Sequence, residues 1–333
     1  MSNKSIENFL EECEKVKKES GGKKPIWEAL LQVAKDKYNL TFKDKEDLRD
    51  KVRKFERKVM GENKYDIEYR TQKDYSNTPR IAVMDLETLP GIGFFFQLFD
   101  INIGVDQIIK DTCMLGWSGK FLNEPEMYSD FMTSEESIIR DTERISKSCW
   151  NFISKSDYII GHNFAGFDAK YINTEFLKHN LPPLKYGVVD TLSVAKQNMR
   201  FDSNKLSFIN KKLGIREKIS NEGFPLWSKC SDGDKESLEI MQNYCEGDIL
   251  ATEDLFYRLR PYVKNFNVSL YNNLDNAMQC PVCGSTNLNI EGYYYTGNSG
   301  KYESVRCLDC KCISRKKQNL LGKEKKKNLL VNS

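Results

Sequence analysis

Apolar residues recur at helical spacing early in the chain. Ile26, Trp27, Leu30, Leu31 and Ala34 form one stripe, and Leu48, Val52, Phe55 and Val59 form a second. Residues 1–60 are therefore expected to be helical, and Thr41 followed by Asp44 resembles a capping box opening the second helix. That helix carries Lys51, Arg53, Lys54, Arg57 and Lys58. Two readings fit it: a helix-turn-helix element, or the commoner helical hairpin with a solvated basic face.

Residues 61–79 are polar and turn-rich and read as a linker. Beyond them the period changes. Arg80–Leu86, Gly93–Phe99 and Thr112–Trp117 read as three strands in close succession. A helix over Glu136–Ser154, a strand at Asp157–Gly161, a helix from Asp168 to His179 and a strand ending at Asp190 follow, with mostly helix up to Tyr262. This order predicts an α/β fold, a mixed sheet flanked by helices, over residues 80–264. A cysteine-rich module over 265–314 and a lysine-rich tail over 315–333 complete the division.

Composition changes this picture little, except at the cysteines. No apolar run approaches the ~18 residues of a membrane span, and the first residues have no signal-peptide core, so a cytoplasmic protein without membrane partners is expected. Of ten cysteines, five fall between Cys280 and Cys312. In a reducing compartment such a cluster reads as metal ligation, and Cys13, Cys113, Cys149, Cys230 and Cys245 read as buried thiols. The net charge of +3 hides an acidic centre between basic ends. That suits an enzyme holding carboxylates in a site and a polyanion elsewhere, although offsets this small are common on ordinary surfaces.

The acidic residues carry more information. On a strand, Ile81, Val83, Asp85 and Glu87 share one face, so two carboxylates continue a line of apolar side chains. Buried like charges repel and lose hydration, which is costly unless a cation binds between them. A second piece is Gly161-His162-Asn163-Phe164-Ala165-Gly166-Phe167-Asp168, where an apolar strand runs through a glycine turn into a helix. Asp168 there either caps its helix or stands at the sheet edge where α/β ligand sites gather. A third piece is the helix whose core stripe reads Leu238, Met241, Tyr244/Cys245, Asp248, Thr252, Leu255 and Leu259. Asp248 lies inside that stripe with Tyr244 one turn before it and no Lys or Arg along it, so a metal is the economical partner.

Asp85-x-Glu87, Asn163-x-x-x-Phe167-Asp168 and Tyr244-x-x-x-Asp248, in this order, resemble the three exonuclease motifs of the DEDD superfamily. With Asn243 where the histidine subclass has its histidine, the third motif is similar to the tyrosine subclass. The runs look closest to proofreading domains of family-B DNA polymerases and free-standing phage relatives, helped by Asp190-Thr191-Leu192 and by Lys205-Leu206 with Leu213-Gly214. The resemblance covers about residues 80–262 and implies a ribonuclease H-like fold and a two-metal 3′→5′ exonuclease using Mg²⁺ or Mn²⁺. It implies that Asp85 bridges both ions, that Glu87 and Asp248 hold the first, and that Asp168 reaches the second. Tyr244 would orient the attacking water, and Asn163 and Phe167 would shape the pocket for the terminal nucleotide. A structural hydrogen bond at the turn remains the better reading of His162.

Cys280-x-x-Cys283 and Cys307-x-x-Cys310 form two knuckles with the spacing of a zinc ribbon, one Zn²⁺ held by four thiolates, with Tyr293-Tyr294-Tyr295 as a ribbon strand. Cys312, just beyond, could compete with Cys310. Arg315-Lys316-Lys317 and Lys325-Lys326-Lys327 favour phosphate contacts over a solvated tail. Only 85 residues follow Asp248 at the end of the third motif, too few for a polymerase core. The expectation is a free-standing exonuclease on single-stranded 3′ ends, DNA ahead of RNA. An exoribonuclease, or a catalytically silent nucleic-acid-binding regulator, is the alternative.

Overall fold

A computed structural model of the protein describes Phe9, Cys13, 27–38, 40–43, Leu48, 78–97, 99–100, 102–217, 222–271, 277–297 and 300–330. The chain divides into two compact units, Met1–Thr71 and Gln72–Ser333. In the first, the stripe beginning at Trp27 forms helix α1 (Trp27–Tyr38). Leu30 and Ala34, one turn apart, are buried with Phe9, Cys13, Leu40 and Leu48. The Phe9 ring packs 5.3 Å from Tyr38 and 5.7 Å from Phe42. Asp44 of the capping box, Val52, Phe55, Val59 and the basic residues from Lys51 to Lys58 lie outside the described residues.

The second unit is built on five strands: β1 (Ile81–Leu89), β4 (Cys113–Phe121), β5 (Met127–Phe131), β6 (Tyr158–Gly161) and β7 (Gly187–Asp190). Their order is β5-β4-β1-β6-β7. The β1–β4 and β4–β5 pairs are antiparallel, and β1–β6 and β6–β7 are parallel. This is the ribonuclease H-like arrangement: a three-strand meander extended by βα units on the other side of β1. The described helices of the unit are α2 (Ser134–Ile139), α3 (Glu143–Ser154), α4 (Asp168–Lys178), α5 (Thr191–Asn198), α6 (Leu206–Leu213), α7 (Phe224–Ser231), α8 (Lys235–Leu259) and α9 (Lys323–Lys327). No described helix is long and apolar enough to cross a membrane.

Two sequence expectations need correction, and one strand escaped sequence reasoning. Gly93–Phe99 is not a strand: only β2 (Ile92–Gly93) pairs, with β3 (Ile108–Lys110), and Phe94, Phe95, Phe96 and Phe99 are exposed. The aromatic run has strand propensity, but among the described residues no strand pairs along its length. The helix expected over Glu136–Ser154 is two helices, broken where Arg140 takes a left-handed φ of 59°. The Met127–Phe131 edge strand, whose Met, Tyr, Ser and Asp are half-buried, gave no clear alternation.

Helix α8 lies across the sheet on the face that carries Val83. Asp234 caps it by accepting from the Ser237 N–H at 2.9 Å. Ile249 and Phe256 pack on Val83, Ile160 and Val189. Lys120 of β4, opposite Val83, reaches Glu253 of α8 at 2.8 Å, with both side chains nearly buried. This pair ties the helix to the sheet at one register, since each charge would be stranded without the other. The opposite face holds Trp117, Phe121 and Phe152 of α3, with ring centroids 4.9–5.0 Å apart.

After α8 come β8 (Leu288–Thr296), β9 (Gly300–Cys307) and β10 (Ile313–Arg315), a three-stranded antiparallel sheet in the order β10-β9-β8. Its base is continuous with the main core. Cys280, Val282, Cys307 and Cys312 are buried in one cluster with Val263, Phe266, Ile249 and Phe256. The Val268 N–H donates to Pro281 O at 2.7 Å across this junction.

Candidate active site and thiol cluster

The strand period and the α8 stripe converge. Oxygen atoms of Asp85, Glu87 and Asp248 lie within 4.8 Å of one another. Asp85 sits opposite Ser118 on β4, and the buried Cys245 thiol of α8 lies 3.9 Å from its Oδ2. Burial first, then the charges of Asp85 and Glu87, push that thiol well above its ordinary range, so it packs as a neutral group. Asp248 is 2% exposed, and Tyr244, one turn earlier on the same buried stripe, meets the Trp227 ring edge-on at 6.2 Å. Leu238, Met241, Thr252, Leu255 and Leu259 complete the stripe and are buried.

Asp168 stands beside this trio rather than within the cluster. Parallel pairing between β1 and β6 stops at Val83–Ile160. Farther along β1, the Leu86 N–H donates to Asp168 Oδ1 at 3.2 Å. The N-cap of α4 is Phe167, so Asp168 does not act as the helix cap. Burial raises its carboxyl to about 7, opposed by its own and Leu86's backbone N–H groups and reinforced by Glu87 and Asp190. Four acids are thus concentrated around one edge of β1, an arrangement that favours a cation or protons.

The turn that delivers Asp168 depends on two residues. A Cβ at Gly161 would lie 2.7 Å from Phe164 Cβ and 3.0 Å from Met84 O, so only glycine permits the turn to press on β1. Asp190 accepts from the N–H groups of Asn163, Ala165, Leu192 and Ser193 at 3.0–3.3 Å, capping α5 and bracing the turn together. Asn163 adopts a left-handed φ of 70° and accepts at its carbonyl from Gly166 and Phe167. Phe167 is 40% exposed, its ring 5.0 Å from Tyr171. His162 bridges Thr191 Oγ1 and Asn204 O at 2.9 Å each, a structural position.

Sequence reasoning missed the wall facing this edge. Thr88, Pro90, Phe224 and Trp227 line an open cleft of about 340 Å³; Thr88 follows Glu87 in the chain, and the Trp227 ring meets Tyr244. Its signal was Phe224-Pro225-Leu226-Trp227, where proline starts α7 and leaves Phe224 69% exposed.

The second cluster is of another kind. The sulfurs of Cys280, Cys283, Cys307 and Cys310 lie within 4.8 Å of one another, with Cys280–Cys310 at 3.5 Å and Cys283–Cys307 at 3.6 Å. A tetrahedral ion with bonds of ~2.3 Å to sulfur needs edges of about 3.8 Å, so the four thiols are arranged for one soft cation. The two knuckles repeat each other. Cys280 O accepts from Gly284 N–H and Cys307 O from Lys311 N–H, and both donor residues are left-handed, at φ 74° and 66°. Burial opposes ionisation of Cys307, but the N–H groups of Cys310 and Asp309 bring its thiol down to about 7. Cys312 is not in the group of four. It is buried, 3.8 Å from Ser314 Oγ, and the position that glycine would favour is Lys311.

Residues 111–260 match the RNase_H_2 family model of the RNase_H superfamily. The matched span contains Asp168, Tyr244 and Asp248, whereas Asp85 and Glu87 precede it. No curated protein matches the sequence. Among solved structures, the chain is similar to the family B DNA polymerase of the hyperthermophilic archaeon Pyrobaculum calidifontis. That alignment has 16% identity and a TM-score of 0.41, covering 55% of this chain and 25% of that one. The chain thus spans about a quarter of that polymerase's length. The fold is ribonuclease H-like, and Asp85, Glu87 and Asp248 form an acidic cluster able to hold a metal ion.

Proposed function

We propose that the chain is a metal-dependent 3′→5′ exonuclease of the DEDD type and tyrosine subclass, acting on single-stranded 3′ ends, DNA ahead of RNA. The observation that carries this reading is the convergence of Asp85, Glu87 and Asp248 within 4.8 Å, with Tyr244 one turn before Asp248. Their hard oxygen donors fit Mg²⁺ or Mn²⁺. Bound there, a pair of such ions would activate water and stabilise the leaving 3′-oxygen. Asp85, Glu87 and Asp248 would hold one ion and Asp168 would reach the other, with Asp85 shared. Tyr244, braced by Trp227, would orient the attacking water; the unperturbed pKa of ~10 for tyrosine makes it a poor base at neutral pH. Phe167, Asn163 and the cleft between Pro90 and Phe224 would receive the terminal nucleotide.

The four thiols would hold one structural Zn²⁺, closed to substrate because no ligand position is left open. Cytoplasmic location follows as part of the same proposal.

Tyr244→Phe tests the assignment. It keeps the ring against Trp227 and removes only the hydroxyl, so hydrolysis of an end-labelled oligonucleotide should slow by about 10- to 1000-fold with metal titration unchanged. Loss of metal binding, or an unchanged rate, would move Tyr244 out of the catalytic role.

A further inference from the structure

The ribbon sheet has two halves of different character. The half near the thiols is docked: Val305 and Cys307 are buried, and Cys307 belongs to the core cluster shared with α8. A register shift between Ile290 and Tyr293, with Gly292 at φ 68°, separates it from the outer half. There Tyr293, Tyr294 and Tyr295 are 53%, 47% and 67% exposed.

Strand alternation distributes these rings over both faces. Tyr294 pairs with Tyr302, and Arg315, on the neighbouring strand, places its guanidinium 3.9 Å from the Tyr302 ring. On the opposite face Tyr293 and Tyr295 stand 6.5 Å apart, with the Lys301 ammonium 3.7 Å from the Tyr293 ring. Each face therefore offers an exposed tyrosine, Tyr294 or Tyr295, beside a ring that already carries a cation. Residues 300–330 contain ten Lys or Arg against three Asp or Glu, so this end of the molecule is complementary to a polyanion.

We infer that the outer half of the ribbon hairpin is a stacking platform for single-stranded nucleic acid, holding bases on Tyr293, Tyr294 and Tyr295 while Lys301 and Arg315 meet phosphates. It would grip the strand whose 3′ end is being trimmed, and in that sense it rests on the nuclease reading. Duplex nucleic acid hides its base faces and gains little from such rings, whereas an unpaired strand stacks on them without regard to sequence.

The test is binding by the full chain, free of Mg²⁺ and Mn²⁺, to fluorescent dT20, U20 and a 20-bp duplex. Replacing Tyr293, Tyr294 and Tyr295 together by Ala should weaken dT20 binding about 100-fold and leave duplex binding within a few-fold. Replacing all three by Phe should keep dT20 within about 3-fold, because the rings remain. Comparing U20 with dT20 shows whether the platform distinguishes RNA from DNA. Hydrolysis of a 5′-phosphorylated dinucleotide and zinc content should match wild type in both variants. Unchanged dT20 affinity in a zinc-loaded Ala variant would overturn the platform, as would an equal loss in the Phe variant. Should the triple Ala variant lose zinc, Tyr295→Ala alone decides, with about 10-fold expected and no change overturning it. If wild type hydrolyses nothing but the Tyr dependence holds, the nuclease reading fails and the platform stands.

Discussion

The carboxylate cluster and the thiol cluster answer the same electrostatic problem in opposite ways. Asp85, Glu87, Asp168 and Asp248 come from segments up to 163 residues apart and meet only because α8 and α4 pack on β1. The four cysteines come from two nearly identical turns, each closed by its own backbone hydrogen bonds. The first cluster uses hard oxygens beside an open cleft; the second uses soft sulfurs with every ligand committed. A site that is to admit substrate, as proposed for the acidic cluster, would stay open and strained by like charge. A site that only holds structure closes on itself.

The largest effect expected is on the open site. Asp85→Ala should abolish hydrolysis while leaving the fold intact, since removing one carboxylate from a repulsive group relieves the metal-free protein. Circular dichroism and an oligonucleotide assay together check this. Next, metal exchange should divide the clusters. Dialysis against excess Mg²⁺ should support activity while zinc stays at about one per chain, because thiolates do not exchange for hard ions. Release of zinc by a thiol reagent should lower the melting temperature of the five-stranded core too, because Cys280 and Cys307 share it. Zinc loss without thermal change would make the ribbon an independent appendage.

A smaller effect concerns protons. The metal-free folded state holds Asp168 at about 7 against an ordinary 3.8, so it binds more protons than the unfolded chain between those values. The stability linked to this group is fully present below about 4 and is lost as pH rises through 7. Asp168→Asn should therefore raise the metal-free melting temperature at pH 8, leave it little changed at pH 4, and still impair hydrolysis. A lower melting point at pH 8 would contradict the buried-charge account. The smallest effect lies in the closed cluster. Lys311 repeats the left-handed turn that Gly284 makes at the first knuckle, so Lys311→Gly should stabilise the ribbon by about 1 kcal/mol in chemical denaturation.

Legibility followed the same division. The knuckles could be read from cysteine spacing alone. The acidic cluster could be read because a period of two places Asp85 with Glu87 and a step of four places Tyr244 with Asp248. Their meeting in space could not be read, and the resemblance of the motifs supplied it. Asp190, Lys120 and Glu253 brace the site through contacts between distant segments, which local pattern does not encode. Phe94–Phe99 misled because the aromatic composition of a strand was present, while among the described residues no strand pairs along it. The break at Arg140 carries no glycine or proline to announce it.

The central claim is that the acidic edge of β1 cuts phosphodiester bonds from 3′ ends. Its most direct test is the purified full chain with Mg²⁺ or Mn²⁺ on a 5′-labelled single-stranded 20-mer, alongside circular single-stranded DNA. The account predicts a ladder shortening from the 3′ end, an intact circle, and no products without metal. Cleavage of the circle, a labelled mononucleotide as the first product, or metal-independent hydrolysis would contradict it.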